Sequence, residues 1–167
     1  MHNELTKSDI RKMEEEIEYR KLVVRKEALE AVKEARAHGD LSENFEYHAA
    51  KKDKNKNESR IRYLEHMIKT AVVIDDNSKE DEIGINNTVT VLFEEDNTTE
   101  VFRLVTTVRN NSLIGLVSIE SPIGKAMLGH KVNDRVYVKV SEDYGYYIVI
   151  KAIEKTVDDS DDKLRGY

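Results

Sequence analysis

The stretch Gly39-Asp-Leu-Ser-Glu-Asn-Phe-Glu-Tyr-His-Ala-Ala-Lys51 decides the fold, because it separates two long segments of helical character. From Ser8 to about Ala37 the chain contains neither glycine nor proline. Apolar residues recur there at spacings of three and four, or their multiples, at Ile10, Met13, Ile17, Val24 and Ala31. The same rhythm follows the stretch at Ile61, Leu64, Ile68 and Ala71. The pattern predicts two helices joined by a bend.

The apolar positions of the two segments match each other about that bend. If the turn spans His38 to Leu41 and is centred between Asp40 and Leu41, four pairs lie opposite one another: Ile10 with Ala71, Met13 with Ile68, Ile17 with Leu64, and Ala31 with Ala50. Such agreement favours an antiparallel coiled-coil hairpin. Each arm of roughly 30 residues would be about 45 Å long.

Two acids, Asp40 and Glu43, fall at the predicted bend, and their spacing has two interpretations. In the first, Asp40 is the N-cap of the second helix and Glu43 is its third residue, which reaches back to a free backbone N–H. Gly39 then ends the first helix. In the second, the acids are exposed at a tip and act on a molecule outside the chain.

Composition limits the classes of function. Charged residues make up 36% of the chain and hydrophobic residues 39%, which favours two small units over one large core. The net charge of −6 is the sum of about +1 over residues 1–74 and about −7 over residues 75–167, so the chain lacks the continuous basic face that gripping a nucleic-acid duplex requires. The absence of cysteine excludes disulfides and thiolate zinc sites. A polar N-terminus and the lack of a long apolar run predict a cytoplasmic protein without a membrane span.

The thirteen residues resemble the tip motif GDLSENAEYHAAK of the bacterial transcript-cleavage factors GreA and GreB, and only Phe45 departs from it. Farther along, Ser121-Pro-Ile-Gly-Lys-Ala-Met-Leu-Gly129 is similar to the C-terminal signature SPIGKALLG of that family. The resemblance implies a monomeric elongation factor that binds bacterial RNA polymerase and inserts its hairpin into the secondary channel. There it would stimulate cleavage of the 3′ end of backtracked RNA. The factor itself would not be an enzyme.

The resemblance also implies roles for single residues. The two metal-binding tip acids of the family fall on Asp40 and Glu43, which would hold Mg²⁺ jointly with the polymerase. Two carboxylates cannot complete the octahedral shell of that ion, so the tip supplies half a site. The RNA-contacting cations fall on Arg36 and Lys51, although a solvated helix face also explains them. Residues that would support the tip are Gly39, Leu41, Ser42, Asn44 and Tyr47. The small basic segment resembles GreA more than GreB.

Two departures from the family pattern keep other functions open. Lys51 to Arg60 contains no apolar residue, so the seam opposite Leu22, Val23 and Val24 is poorly filled. Phe45 either fills the seam near the tip or alters how the tip seats in its target. A paralogue that occupies the channel and inhibits or modulates the polymerase without cleavage is therefore an alternative. A prolyl isomerase with a coiled-coil arm is a third, which an aromatic pocket within residues 75–155 would favour.

Beyond Ile74 the apolar period changes to alternation, which predicts strands. The expected strands are Thr88–Phe93, Val101–Val108, Leu113–Ile119, Arg135–Val140 and Tyr146–Ile153. Ser121, Pro122 and Gly129 mark one short helix. The fold class is α+β, a coiled-coil hairpin followed by a domain of antiparallel strands around one short helix, which the resemblance makes FKBP-like. The expected organisation is a hairpin over 1–75, a linker over 76–82, the second domain over 83–156, and a disordered acidic tail over 157–167.

Overall fold

The computed structural model describes residues 3–39, 43–156 and 159–166. These residues form two compact units. One is the helical unit of residues 10–71, and the other contains residues 72–166 together with the N-terminal residues up to Asp9. The mixed α+β class agrees with the sequence prediction. Among the helices of the described ranges, none has the length and apolar character that crossing a membrane requires.

The helical unit consists of two arms. The first contains helix α1 (Lys7–Tyr19), a π-helical turn (Arg20–Val24) and helix α2 (Arg25–Arg36). Backbone angles at Tyr19, Val24 and Arg25 stay helical, so the arm is continuous through the π turn. The second arm is helix α3 (Phe45–Lys69). The connection therefore extends beyond the expected turn at His38 to Leu41, and the position of Leu41 lies outside the described residues.

Apolar residues fill the seam near the open end of the hairpin. Met13, Ile61, Leu64 and Met67 are buried there, and Ile17 and Ile68 are half-buried. The prediction was wrong for Ala31, which is exposed, whereas Ala35 is buried. The π turn explains the change, because its i→i+5 bonds place about one extra residue in the turn and rotate the following positions.

Polar residues fill the middle of the seam, where the sequence predicted poor packing. Asn57 and Arg60 are only 4% and 5% exposed. Arg20 donates from Nη1 to Asn57 Oδ1 at 3.0 Å, and Asn57 Nδ2 donates to the Arg20 carbonyl at 3.3 Å. Glu16 accepts from Nε of both Arg20 and Arg60 at 2.7 and 2.8 Å. The pKa of Glu16 is lowered, because these two guanidinium groups together outweigh the opposing effect of burial.

A twisted five-stranded sheet forms the second unit. Its strands are β3 (Thr88–Phe93), β4 (Thr98–Val105), β5 (Leu116–Ser118), β6 (Arg135–Lys139) and β7 (Gly145–Glu154), in the order β5-β4-β3-β7-β6. All neighbours are antiparallel except β4 and β5, which run parallel and so differ from the expectation. Alternate residues such as Val89, Val91, Val136, Val138, Ile148 and Ile150 are buried and form one core.

The short helix α4 (Pro122–Met127) has the predicted ends. Ser121 Oγ accepts from the Gly124 N–H at 3.1 Å, Pro122 occupies the first turn, and Gly129 follows the helix with a φ of +84°. Met127 is buried in the core of the sheet. A Cβ on Gly124 would lie 2.0 Å from the Ser118 carbonyl oxygen, so glycine permits the close approach of α4 to β5.

A buried ionic cluster, which we call the Arg109 cluster, lies in the same unit. Arg109 and Asp9 are fully buried and bonded to each other. Asp162 binds the guanidinium groups of Arg109, at 2.8 Å, and of Arg103. The Arg165 N–H donates to the Val108 carbonyl at 2.6 Å. Asp162 and Arg165 thus contact this unit, whereas the sequence predicted a disordered acidic tail over 157–167.

The N-terminal residues complete this unit. Strand β1 (Glu4–Leu5) pairs in parallel with β2 (Val72–Val73). Asp9 accepts from the Thr6 N–H at 2.9 Å, and the Asp9 N–H donates to Thr6 Oγ1 at 3.2 Å. This reciprocal pair caps α1. Residues up to Asp9 thus belong with the sheet, whereas the expected hairpin domain covered 1–75.

Candidate functional site

Asn44 joins the two arms beside the bend. It is the N-cap of α3, and its Oδ1 accepts from the Tyr47 N–H at 3.0 Å. Its Nδ2 donates to the Ala35 carbonyl at 2.7 Å, in the last turn of α2. One side chain therefore satisfies a free donor of α3 and adds a second bond to a carbonyl of α2 that also accepts from the His38 N–H at 3.1 Å. Asn44 thus ties the start of α3 to the last turn of α2.

Two further residues shape the approach to the bend. Gly39 has a φ of +126°, a conformation that side chains disfavour, and a Cβ there would meet no atom within 4 Å. The requirement for glycine is thus conformational. His38 Nδ1 lies 2.8 Å from Glu46 Oε2, so an exposed pair spans the connection. Because both side chains are largely exposed, the pair contributes little to stability.

Glu43 is exposed and precedes α3 by two residues. The structure contradicts the interpretation of Glu43 as the third residue of the helix, because the helix begins at Phe45 and Asn44 is its cap. Among the described residues, the Glu43 carboxylate has no hydrogen bond or ion pair. Asp40, Leu41 and Ser42 lie outside those residues, so the proposed roles of Asp40 and of the other two stay predictions.

Tyr47, on the first turn of α3, lies near cations of both arms, Arg36 of α2 and Lys51 and Lys54 of α3. Its ring is buried against the hairpin, and the Arg36 guanidinium lies 5.7 Å from the ring centroid. Arg36 beside the phenol, with additional charge from Lys51 and Lys54, holds the pKa of Tyr47 below its ordinary value. The predicted RNA-binding residues Arg36 and Lys51 thus face one phenol. Sequence reasoning did not single out Lys54, although its spacing from Tyr47 and Lys51 places all three on one helix face.

Phe45, the one departure in the tip motif, is 86% exposed. It therefore does not fill the seam near the tip, which was one of its two predicted roles. The ring is on the first turn of α3, directly after the capping residue. Its exposure leaves the other interpretation, an altered contact with the target.

Two cavities among the described residues of the sheet unit do not favour the isomerase interpretation. A cavity of about 350 Å³ is bounded by residues that include Ile74, Ile83, Ile85, Ile119 and Leu128, and none of its lining residues is aromatic. A second cavity, of about 430 Å³, has Tyr137 as the one aromatic residue in its lining. In the described ranges, no three His, Cys, Asp or Glu side chains lie together in a way that could hold a metal ion.

Comparisons with known proteins cover nearly the whole chain. A family model of the N-terminal domain of transcription elongation factors matches residues 3–73, and one of the C-terminal domain of GreA/GreB matches residues 77–155. The GreA elongation factors of Thermoanaerobacter pseudethanolicus and Caldanaerobacter subterraneus subsp. tengcongensis are 46% and 45% identical over 137 residues, 81% of this chain and 87% of each relative. The crystal structure of GreA factor homolog 1 of Thermus thermophilus is 26% identical, with a TM-score of 0.40, and covers 90% of this chain and 97% of that one.

Proposed function

Because this chain belongs to the GreA/GreB family of transcription elongation factors, we propose that it binds bacterial RNA polymerase and stimulates cleavage of backtracked RNA. In this proposal the hairpin enters the secondary channel, and its bend reaches the 3′ end of the displaced transcript. One observation carries the proposal. Glu43 is an exposed carboxylate at the end of two helical arms, and no residue of the described chain neutralises it.

The donor set at the bend fits a hard divalent cation. Mg²⁺ prefers oxygen ligands such as carboxylates. Glu43 is exposed, so a metal ion can reach its carboxylate. Asp40 and Glu43 would hold the ion together with acidic residues of the polymerase, because two carboxylates do not complete an octahedral shell. When bound, Mg²⁺ stabilises charge on the attacking and leaving oxygens of the phosphodiester. This chain would contribute the carboxylates of Asp40 and Glu43.

The position of the Glu43 backbone depends on contacts near the bend. Asn44 ties the start of α3 to the end of α2, so the backbone that carries Glu43 is fixed at its C-terminal side. On the N-terminal side of the bend, Gly39 adopts a φ of +126°, which glycine tolerates and other residues disfavour. Preorganised groups stabilise a transition state without further reorganisation. The same geometry therefore supports a role for the bend in positioning an attacking water.

The cations around Tyr47 would bind the displaced RNA. Arg36 and Lys51 are exposed and their charges act on the same phenol, so they form a local positive surface near the bend. Phosphates are attracted to such a surface, and the attraction falls with added salt. The surface is small, which suits a short single-stranded segment and not a duplex. The chain would act as a monomer, because the proposal requires one hairpin in one channel.

The direct experiment adds the pure protein to a stalled, backtracked elongation complex with Mg²⁺ and follows RNA length. We expect the 3′ end to be shortened and elongation to resume. The protein alone should leave the same RNA intact, because it supplies only half of the site. Polymerase binding without any shortening would contradict stimulated cleavage and would instead identify a factor that occupies the channel and inhibits or modulates the enzyme.

A further inference from the structure

Phe45 is more exposed than any other large apolar residue described in the helical unit. Burial normally removes such a ring from water, and single exposed apolar residues are common on protein surfaces. Phe45 differs from them in position. It stands two residues after Glu43, on a helix end that Asn44 fixes to the opposite arm. The ring is thus presented to solvent beside the proposed catalytic acid.

The helix face below Phe45 carries one small residue and one cation. Helical spacing places Ala49 and Lys52 on the same face, one and two turns further along α3, and both are exposed. Ala49 is small and leaves the ring face accessible, and Lys52 adds a positive charge. Proteins that bind single strands combine aromatic rings, on which bases stack, with cations that follow the phosphates.

We propose that Phe45 stacks on a base of the displaced 3′ RNA while Lys52 faces its backbone. This inference rests on the proposed function, since it needs the bend to meet RNA. A contact between Phe45 and the polymerase is the competing occupant. Protein hot spots are centred in packed, desolvated surroundings. The neighbours of Phe45 on its helix face are instead a small residue and a lysine, which favours RNA.

The test uses Phe45 variants that separate the aromatic face from apolar bulk. Phe45→Trp keeps a stacking surface, Phe45→Leu keeps bulk without one, and Phe45→Ala removes both. Because the position is exposed and begins a helix, all three variants should fold. Tyr19→Ala is the matched control, since Tyr19 is an exposed aromatic residue about 26 Å along the helix from Arg36, where the first arm ends near the bend.

The readout is a backtracked complex that carries 2-aminopurine in its displaced 3′ RNA. Its fluorescence falls when the base stacks on an aromatic ring. We expect quenching with the wild type, Phe45→Trp and Tyr19→Ala, and little with Phe45→Ala or Phe45→Leu. The last two should also weaken the factor's apparent affinity for backtracked complexes about tenfold, in the range expected for loss of one stacked base. Their affinity for polymerase without displaced RNA should equal that of the wild type.

The outcomes separate the inference from the proposed function. Shortened RNA with equal quenching by all variants would overturn stacking while leaving stimulated cleavage intact. An equal loss of affinity with and without displaced RNA would overturn it as well, because Phe45 would then contact the polymerase. Quenching that depends on an aromatic residue at position 45, without any shortening, would support the inference and overturn stimulated cleavage. Absence of quenching by the wild type would overturn the inference whatever the cleavage result.

Discussion

The carboxylates of the Arg109 cluster and the carboxylate of Glu43 occupy opposite environments. Asp9 is fully buried and accepts hydrogen bonds from Arg109, from Thr106 Oγ1 at 2.7 Å and from the Thr6 N–H. Asp162 is shared by Arg103 and Arg109. Glu43 is exposed and has no partner among the described residues. Asp9 and Asp162 therefore stabilise the fold, whereas Glu43 is available to bind an external ligand.

This contrast distinguishes structural from functional acids in a chain rich in both. Removal of a buried, bonded charge leaves its partner without compensation, so the fold loses stability. Removal of an exposed, unbonded charge costs the fold almost nothing. Substitution of the buried acids should therefore change the free energy of unfolding, and substitution of Glu43 should change the RNA-cleavage rate.

The largest effect on stability is expected for Asp9→Ala. The change removes the acceptor of Arg109 Nε, while Nη1 keeps Asp162, and we expect a loss of about 3–5 kcal/mol in the free energy of unfolding. Urea denaturation measures it. Asp81→Ala is the control, because Asp81 and Lys131 form a largely exposed pair, and we expect about 0.5 kcal/mol or less. Equal effects of the two changes would contradict a structural role for the Arg109 cluster.

Lowering the pH should destabilise the sheet unit by protonating Asp162. Burial alone would raise the pKa of Asp162, but Arg103 and Arg109 outweigh it and lower that pKa. The stabilisation is therefore present above the ordinary aspartate pKa of about 3.9 and is lost as the pH falls through the lower folded value. Asp162→Asn should lower stability at neutral pH and flatten its dependence on acid. Unfolding curves at several pH values would show this, and an unchanged acid dependence would contradict it.

Sequence predicted the features that depend on near neighbours along the chain. The caps of α4, the strand Thr88–Phe93 and the two helical arms all follow from local spacing. The Arg109 cluster could not be predicted, since Asp9 and Asp162 lie far from Arg109 in sequence and their charges look solvated. The exposure of Ala31 depends on the π turn, for which no local signal was found. At the site, the motif indicated that Glu43 binds a metal ion. Only the observed start of α3 at Phe45 excluded the interpretation of Glu43 as a capping residue.

Asn57, in the polar middle of the hairpin, should affect the alignment of the two arms more than the stability of the fold. Asn57 bonds to Arg20 across the seam, and a buried Asn commonly specifies pairing at some cost in stability. For Asn57→Leu we expect a change in unfolding free energy within about 1 kcal/mol, together with mixed register. Because the chain has no cysteine, introduced cysteine pairs report register by reaction with a short thiol-reactive cross-linker. R25C with E58C should be linked in both backgrounds, since the side chains of Arg25 and Glu58 meet across the seam. R25C with K51C should be linked only with Asn57→Leu. Identical linkage in both backgrounds would exclude this role.

Arg36→Ala with Lys51→Ala should leave stability nearly unchanged and weaken cleavage. The loss should be greatest on deeply backtracked complexes, where more RNA lies beside the hairpin. Attraction between exposed cations and phosphates is screened over about 8–10 Å at moderate ionic strength, so the difference from the wild type should shrink with salt. Cleavage rates on short and long displaced segments measure both effects. An equal, salt-independent loss on both segments would show that these residues support the hairpin or its docking.

The smallest effect on stability and the largest effect on function should coincide at Glu43. The most direct measurement is the rate of RNA shortening in a backtracked complex saturated with Glu43→Ala, compared with the wild type. We predict a rate lower by about 10²–10³, as for removal of one preorganised electrostatic group, with polymerase affinity unchanged and unfolding free energy within about 0.5 kcal/mol. A variant that shortens RNA at the wild-type rate would contradict the assignment of Glu43 to the chemistry.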